Sequence, residues 1–218
     1  DILGDKALPL TSEMQEKRRW VEAGLRHSVV AVNRGHDDAP ATLLDGALNT
    51  EAEEYYGALD LTGERMVFTR HGVTDAVELQ LPGVAGGEDF YESFKRADGA
   101  WSPPVPLRGI NTRMNEGAPA LSGDGTLMVF AACETLRDGY GPRQGKGSCD
   151  LFESEWDSRA NQWSLGKNLG APNSAGWESQ PTLSADGNTL IFAKSARGNS
   201  APSDLVISHR FPLQSSAW

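Results

Sequence analysis

Trp177-Glu-Ser-Gln-Pro-Thr-Leu-Ser-Ala-Asp-Gly-Asn-Thr-Leu-Ile-Phe-Ala193 decides the fold, because the chain writes this pattern three times. Upstream it reads Asn115-Glu-Gly-Ala-Pro-Ala-Leu-Ser-Gly-Asp-Gly-Thr-Leu-Met-Val-Phe-Ala131, and before that Glu53-Glu-Tyr-Tyr-Gly-Ala-Leu-Asp-Leu-Thr-Gly-Glu-Arg-Met-Val-Phe-Thr69. Glu54, Glu116 and Glu178 are 62 residues apart, as are Asn49, Asn111 and Asn173, and Phe68, Phe130 and Phe192. A fixed period held at several independent positions marks a repeat architecture.

Each copy places a turn between two short runs suited to a pleated surface. Asp124-Gly125 and Asp186-Gly187 are strong hairpin signals, since glycine supplies the positive φ that a tight turn needs. The first copy has Thr62-Gly63, which weakens the turn chemistry and keeps the glycine. A third run opens on aspartate at Asp89, Asp150 and Asp204, and a tryptophan follows at Trp101, Trp163 and Trp218. In the first two copies the tryptophan leads into Val105-Pro-Leu or Lys167-Asn-Leu.

About four short strands per repeat predict an all-β β-propeller, with three four-stranded blades near 49–110, 111–172 and 173–218 forming part of a larger ring. A β-sandwich of duplicated hairpins is the alternative, but it has no reason to keep one spacing throughout.

The pattern of Glu, Pro, Ser-x-Asp-Gly, Phe and then Asp-aliphatic-aromatic resembles TolB-like β-propeller repeats. Asn173-Ser-x-x-Trp-Glu-Ser-Gln-Pro-x-Leu-Ser-x-Asp-Gly-x-Thr-Leu-x-Phe192, with Ala132-Cys133 and Gly147-Ser-Cys-Asp-Leu151, is similar to the PorE-like envelope proteins of type IX secretion. That resemblance covers Asn49 to Trp218 and implies a parent with a TPR segment, a propeller and an OmpA-like domain in series. No OmpA-like segment occurs in this sequence, so a peptidoglycan-binding activity is not carried over.

The 218 residues carry 30 acidic against 20 basic side chains, a net charge of −10. That balance argues against nucleic acid and against an anionic membrane surface as partners. No apolar stretch reaches the roughly 20 residues of a spanning helix. No signal peptide is visible, and the opening Asp1 suggests a processed or excised piece. The two cysteines, Cys133 and Cys149, fall at the end of a second strand and the start of a third in one blade. There a disulfide is geometrically easy, and it would imply an oxidising compartment such as a periplasm. Two buried free thiols are the alternative.

Residues 1–40 read as a helical segment and linker. Ser12-x-x-Gln15 is a capping box, and Met14, Trp20, Val21 and Leu25 recur at helical spacing, predicting a helix over residues 12–32. It fits either the end of a TPR array or a lone packing helix. The linker ends at Pro40. Leu43-Leu44 leads into Asn49 as Leu107 leads into Asn111, which suggests the outer strand of a blade whose other strands this chain lacks.

Nothing in the chain spells out catalysis, a cofactor site or a metal site. Gly139-Tyr-Gly-Pro-Arg-Gln-Gly-Lys-Gly-Ser148 lacks the Lys-Ser/Thr and glycine spacing of a phosphate loop. No Gly-x-Ser-x-Gly elbow occurs. His27, His36, His71 and His209 lie singly. Asp124 and Asp186 lack the alternating acids of a calcium loop.

The binding candidates are of two kinds. Glu54, Glu116 and Glu178 enter the first strand of each blade. They form either an acidic collar for a cationic or amide-bearing peptide or a set of hydrogen-bond acceptors that serve the repeat. Tyr55, Tyr56, Trp177, Arg137, Tyr140 and Arg143 break the repeat, as binders do and as local packing residues also do. The expectation is a non-enzymatic scaffold that binds a protein or peptide, periplasmic and outer-membrane-associated, without direct membrane insertion. The remaining blades or an oligomer would complete its ring. The alternative is the substrate-gating propeller of a peptidase whose catalytic domain lies outside this chain.

Overall fold

A computed structural model describes residues 15, 18, 22, 41–44, 48–73, 78–82, 84, 87–135, 139–196, 202–210 and 218. The chain divides into two compact units, Asp1–Ala41 and Thr42–Trp218. In the first, Gln15, Arg18 and Glu22 are helical, and Arg18 Nε lies 2.7 Å from Glu22 Oε1. The rest of the helix expected over 12–32 lies outside the described residues.

The second unit is all-β: three antiparallel meanders follow one another along the chain. Meander A is a four-stranded sheet of β1 (Glu53–Leu59), β2 (Arg65–His71), β3 (Glu88–Phe94) and β4 (Val105–Pro106). Meander B contains β5 (Asn115–Leu121), β6 (Leu127–Cys133), β7 (Cys149–Asp157), β8 (Gln162–Trp163) and β9 (Lys167–Asn168). Meander C contains β10 (Trp177–Leu183), β11 (Thr189–Ser195) and β12 (Asp204–His209). A single parallel bridge, Trp177 to Cys149, links the start of β10 to the start of β7.

The glycine of each hairpin turn has positive φ: 69° at Gly63, 66° at Gly125 and 71° at Gly187. Thr62 in the first copy does not weaken its turn. In B and C the hydroxyls of Ser122 and Ser184 donate to Asp124 and Asp186 at 2.6 and 2.5 Å. In A the two groups change places, and Thr62 Oγ1 donates to Asp60 Oδ1 at 2.8 Å. The hydrogen bond survives because hydroxyl and carboxylate are swapped together. The turns also bond to one another across meanders, with Leu61 N donating to Gly123 O at 3.0 Å and Gly123 N to Ala185 O at 2.8 Å.

β6 shows why its sequence is a continuous apolar run. Met128, Phe130 and Ala132 face A and pack with Val67 and Phe90, while Val129 and Ala131 face C and pack with Leu190 and Phe192. A strand covered on both faces has no polar side to alternate. The repeat-wide asparagines stitch each meander to the next loop. Asn111 bonds both backbone groups of Phe90 at 2.9 Å, and Asn173 bonds those of Leu151 at 2.8 Å, so each amide side chain acts as a short extra strand.

Cys133 and Cys149 form the expected disulfide and pair directly across β6 and β7. Replacing both by serine should cost about 3 kcal/mol, the loop-entropy value for a closed loop of this length. Urea unfolding with and without reductant measures it. A reduced wild-type protein as stable as the oxidised one would contradict it.

Candidate functional site

The first strands of the three meanders share one irregularity. Pairing of β1 with β2 skips between Tyr55 and Ala58, that of β5 with β6 between Gly117 and Ala120, and that of β10 with β11 between Ser179 and Thr182. Each skip is a β-bulge, and each holds a non-glycine residue in the left-handed region: Tyr56 at 55°, Ala118 at 53° and Gln180 at 54°. A bulge re-aims side chains and leaves backbone groups outside the ladder. Left-handed backbone at a bulky residue is locally costly, so the surrounding structure must hold it.

The three bulges converge on one cavity of about 360 Å³, lined by residues 56–59, 118–121 and 180–183. Gln180 Nε2 donates to Tyr56 Oη at 3.4 Å, from the first strand of C to that of A. Both side chains are exposed, Tyr56 at 47%. Pro119 and Pro181 follow the left-handed residue in B and C and carry no N–H, whereas Gly57 holds that place in A. Those two places in the cavity wall therefore offer no backbone donor.

The three glutamates do not line this cavity. Each carboxylate turns back onto the loop four residues upstream, where it accepts from a backbone N–H and a hydroxyl. Glu54 serves Thr50, Glu116 serves Thr112 and Glu178 serves Ser174. Glu116 and Glu178 are fully buried, so neither presents a charge to a ligand as an acidic collar requires. Each glutamate also has a cation. Arg70 reaches Glu54 at 2.9 Å and Lys194 reaches Glu178 at 3.2 Å, both from the second strand. In B the corresponding position is Ala132, and Arg143 comes in from the disulfide-closed loop to sit 2.5 Å from Glu116.

Arg143 thus lies in the interior. It also donates to Ile110 O and lies over the Phe130 and Phe152 rings at 5.3 and 5.7 Å. Burial pushes the Glu116 carboxyl up to about 7, against the pull of Arg143 and the Thr112 donors. Tyr140 of the same loop is buried against Phe152 and donates to Gly147 O at 2.7 Å. Its phenol is raised by burial and by Asp150.

Tyr55 is half-buried and donates to Glu88 Oε1 at 2.5 Å, and burial together with that carboxylate raises its phenol. Trp177 is half-buried at the head of β10 and does not line the cavity. Arg137 lies outside the described residues. Of the sequence candidates, the structure brings only Tyr56 to the cavity and adds Gln180 and Ala118. The position 56, 118, 180 varies between the repeated Glu54, Glu116, Glu178 and the repeated Leu59, Leu121, Leu183, and that variation is the signal that could have found it.

Among the described residues, no group of three or more His, Cys, Asp or Glu side chains could hold a metal ion. No helix among them is long and apolar enough to cross a membrane.

No protein family matches the chain, and no curated protein does. Solved structures similar to it include TolB from Acinetobacter baumannii, 15% identical, with a TM-score of 0.34 over 75% of this chain and 42% of that one. A luciferin-regenerating enzyme is 13% identical, with a TM-score of 0.36 over 72% of this chain and 46% of that one. A puromycin hydrolase variant is 12% identical, with a TM-score of 0.30 over 72% and 29%. The chain spans less than half the length of each.

Proposed function

We propose that this chain is a non-enzymatic propeller module that binds a protein or peptide partner at the cavity ringed by Tyr56, Ala118 and Gln180. One observation carries the reading: three bulges at one register turn a position that breaks the repeat toward a single cavity. A repeat that served packing alone would keep one residue type there, as it keeps Asn49, Asn111 and Asn173. The missing backbone donors at Pro119 and Pro181 and the net charge of −10 favour a partner segment rich in N–H donors.

The envelope setting belongs to the same proposal. The disulfide suits an oxidising compartment, and the motif resembles PorE-like envelope proteins, which supports a periplasmic, outer-membrane-associated role. A further blade would complete the ring beside C. It would cover Ile191 and Leu205 in the way C covers their counterparts Val129 and Leu151.

Selecting peptides from a displayed library on the full chain tests this function. Tyr56→Ala and Gln180→Ala should each weaken the selected peptide about tenfold, with thermal stability little changed because both side chains are exposed. Unchanged binding in both variants would remove the site, and turnover of the peptide would overturn the non-enzymatic reading.

A further inference from the structure

A second cavity, of about 550 Å³, lies between the outer edge of meander A and the β7–β8 hairpin of meander B. It is separate from the bulge cavity and independent of the function proposed above. Phe94 and Val105, both nearly half exposed, stand on the A side, and Trp156 stands on the B side. Arg65 is already engaged: Nη2 lies 2.6 Å from Glu92 Oε2, Nη1 donates to Gly125 O, and the guanidinium sits 5.1 Å from both the Trp156 and Trp163 ring centroids.

Arg108 differs. It lines the same cavity, is exposed, and has no carboxylate partner among the described residues. The cavity therefore carries a net positive charge in a chain whose overall charge is −10. The buried Nε1 of Trp163, on the same wall, has no hydrogen-bond partner either.

We propose that this cavity binds a small carboxylate-bearing molecule built on a ring, its carboxylate on Arg108 and its ring face between Phe94 and Trp156. A planar guanidinium matches a carboxylate through two parallel hydrogen bonds, and aromatic walls favour a ring with an apolar face over a compact inorganic anion. The volume falls within the range of small-molecule sites, which combine apolar walls with a few convergent polar groups. The exposed amides of Asn161 and Gln162 at the rim supply donors and acceptors for substituents on that ring.

Two sources share this chemistry, an aryl carboxylate and a sugar acid, and titration calorimetry on the full chain separates them. Phenylacetate and galacturonate are the probes, with neutral phenylacetamide and inorganic phosphate as controls. One of the two carboxylates should bind. Phenylacetamide should bind at least about tenfold more weakly than phenylacetate if the aryl acid is the ligand, and Arg108→Gln should weaken the binding carboxylate by a similar factor. Phe94→Ala should also lose affinity, whereas Tyr56→Ala should leave it unchanged. Both Arg108 and Phe94 are exposed, so their variants should keep the wild-type melting temperature, which excludes misfolding as the cause of a loss. The proposal is overturned if neither carboxylate saturates the chain by about 10 mM, if Arg108→Gln binds like wild type, or if phosphate displaces the carboxylate at equal concentration.

Discussion

Trp163→Ala should destabilise the protein by about 3–5 kcal/mol, the cost of emptying a fully buried aromatic site. Trp163 has no exposed surface and closes the interface in which Val67 and Phe90 of meander A meet Phe130 and Phe152 of meander B. Its counterparts in the repeat, Trp101 and Trp218, are only half-buried, so their alanine variants should lose markedly less. Trp177→Ala should also lose less, because Trp177 is half-buried at a strand head. Trp163→Phe separates volume from polarity. It keeps most of the packing and removes an indole N–H that is buried without a partner, so it should be much milder than alanine. Urea unfolding of the five variants checks the order, and a Trp163→Ala protein as stable as Trp101→Ala would refute the burial argument.

Arg143→Met should cost up to a similar amount, about 3–5 kcal/mol, above neutral pH, because there it leaves the buried Glu116 carboxylate without its cation. The pH dependence distinguishes this cause from lost packing. Burial already holds the folded-state pKa of Glu116 near 7, above the ordinary value of a glutamate, and removing Arg143 takes away a lowering influence. Folding therefore favours the protonated acid. The penalty relative to wild type should be small and constant below the wild-type folded-state value near 7, where Glu116 is protonated in both folded proteins, and should grow as the pH rises above it. Adding Glu116→Gln should recover most of the loss above neutral pH and abolish its pH dependence. A loss equal at pH 4 and pH 8, on the order of the same 3–5 kcal/mol, would assign Arg143 to packing over Phe130 and Phe152 instead. Arg70→Met should behave more mildly, since Glu54 is only half-buried.

These two sites mark where the sequence stops being informative. The period that relates Phe68, Phe130 and Phe192 determined the hairpins, and the turn glycines and the bridge from Cys133 to Cys149 were legible with it. All of these depend on residues close in the chain or on strand alternation, and a repeat encodes both directly.

The tertiary structure decided how each glutamate is used. Glu54, Glu116 and Glu178 are identical in the motif, yet their cations come from Arg70, Arg143 and Lys194, and Arg143 lies 27 residues away on the disulfide-closed loop between β6 and β7. The same loop made Arg143 and Tyr140 look like exposed binders, whereas packing drew both inside. Tyr56 and Gln180 are 124 residues apart and meet only because three bulged strands converge. Backbone in the left-handed region at Tyr56, Ala118 and Gln180 has no residue signature, since none of the three is glycine or asparagine. Local hydrogen bonding and side-chain alternation are written into consecutive residues, whereas charge neutralisation and cavity formation are properties of neighbours that only packing brings together.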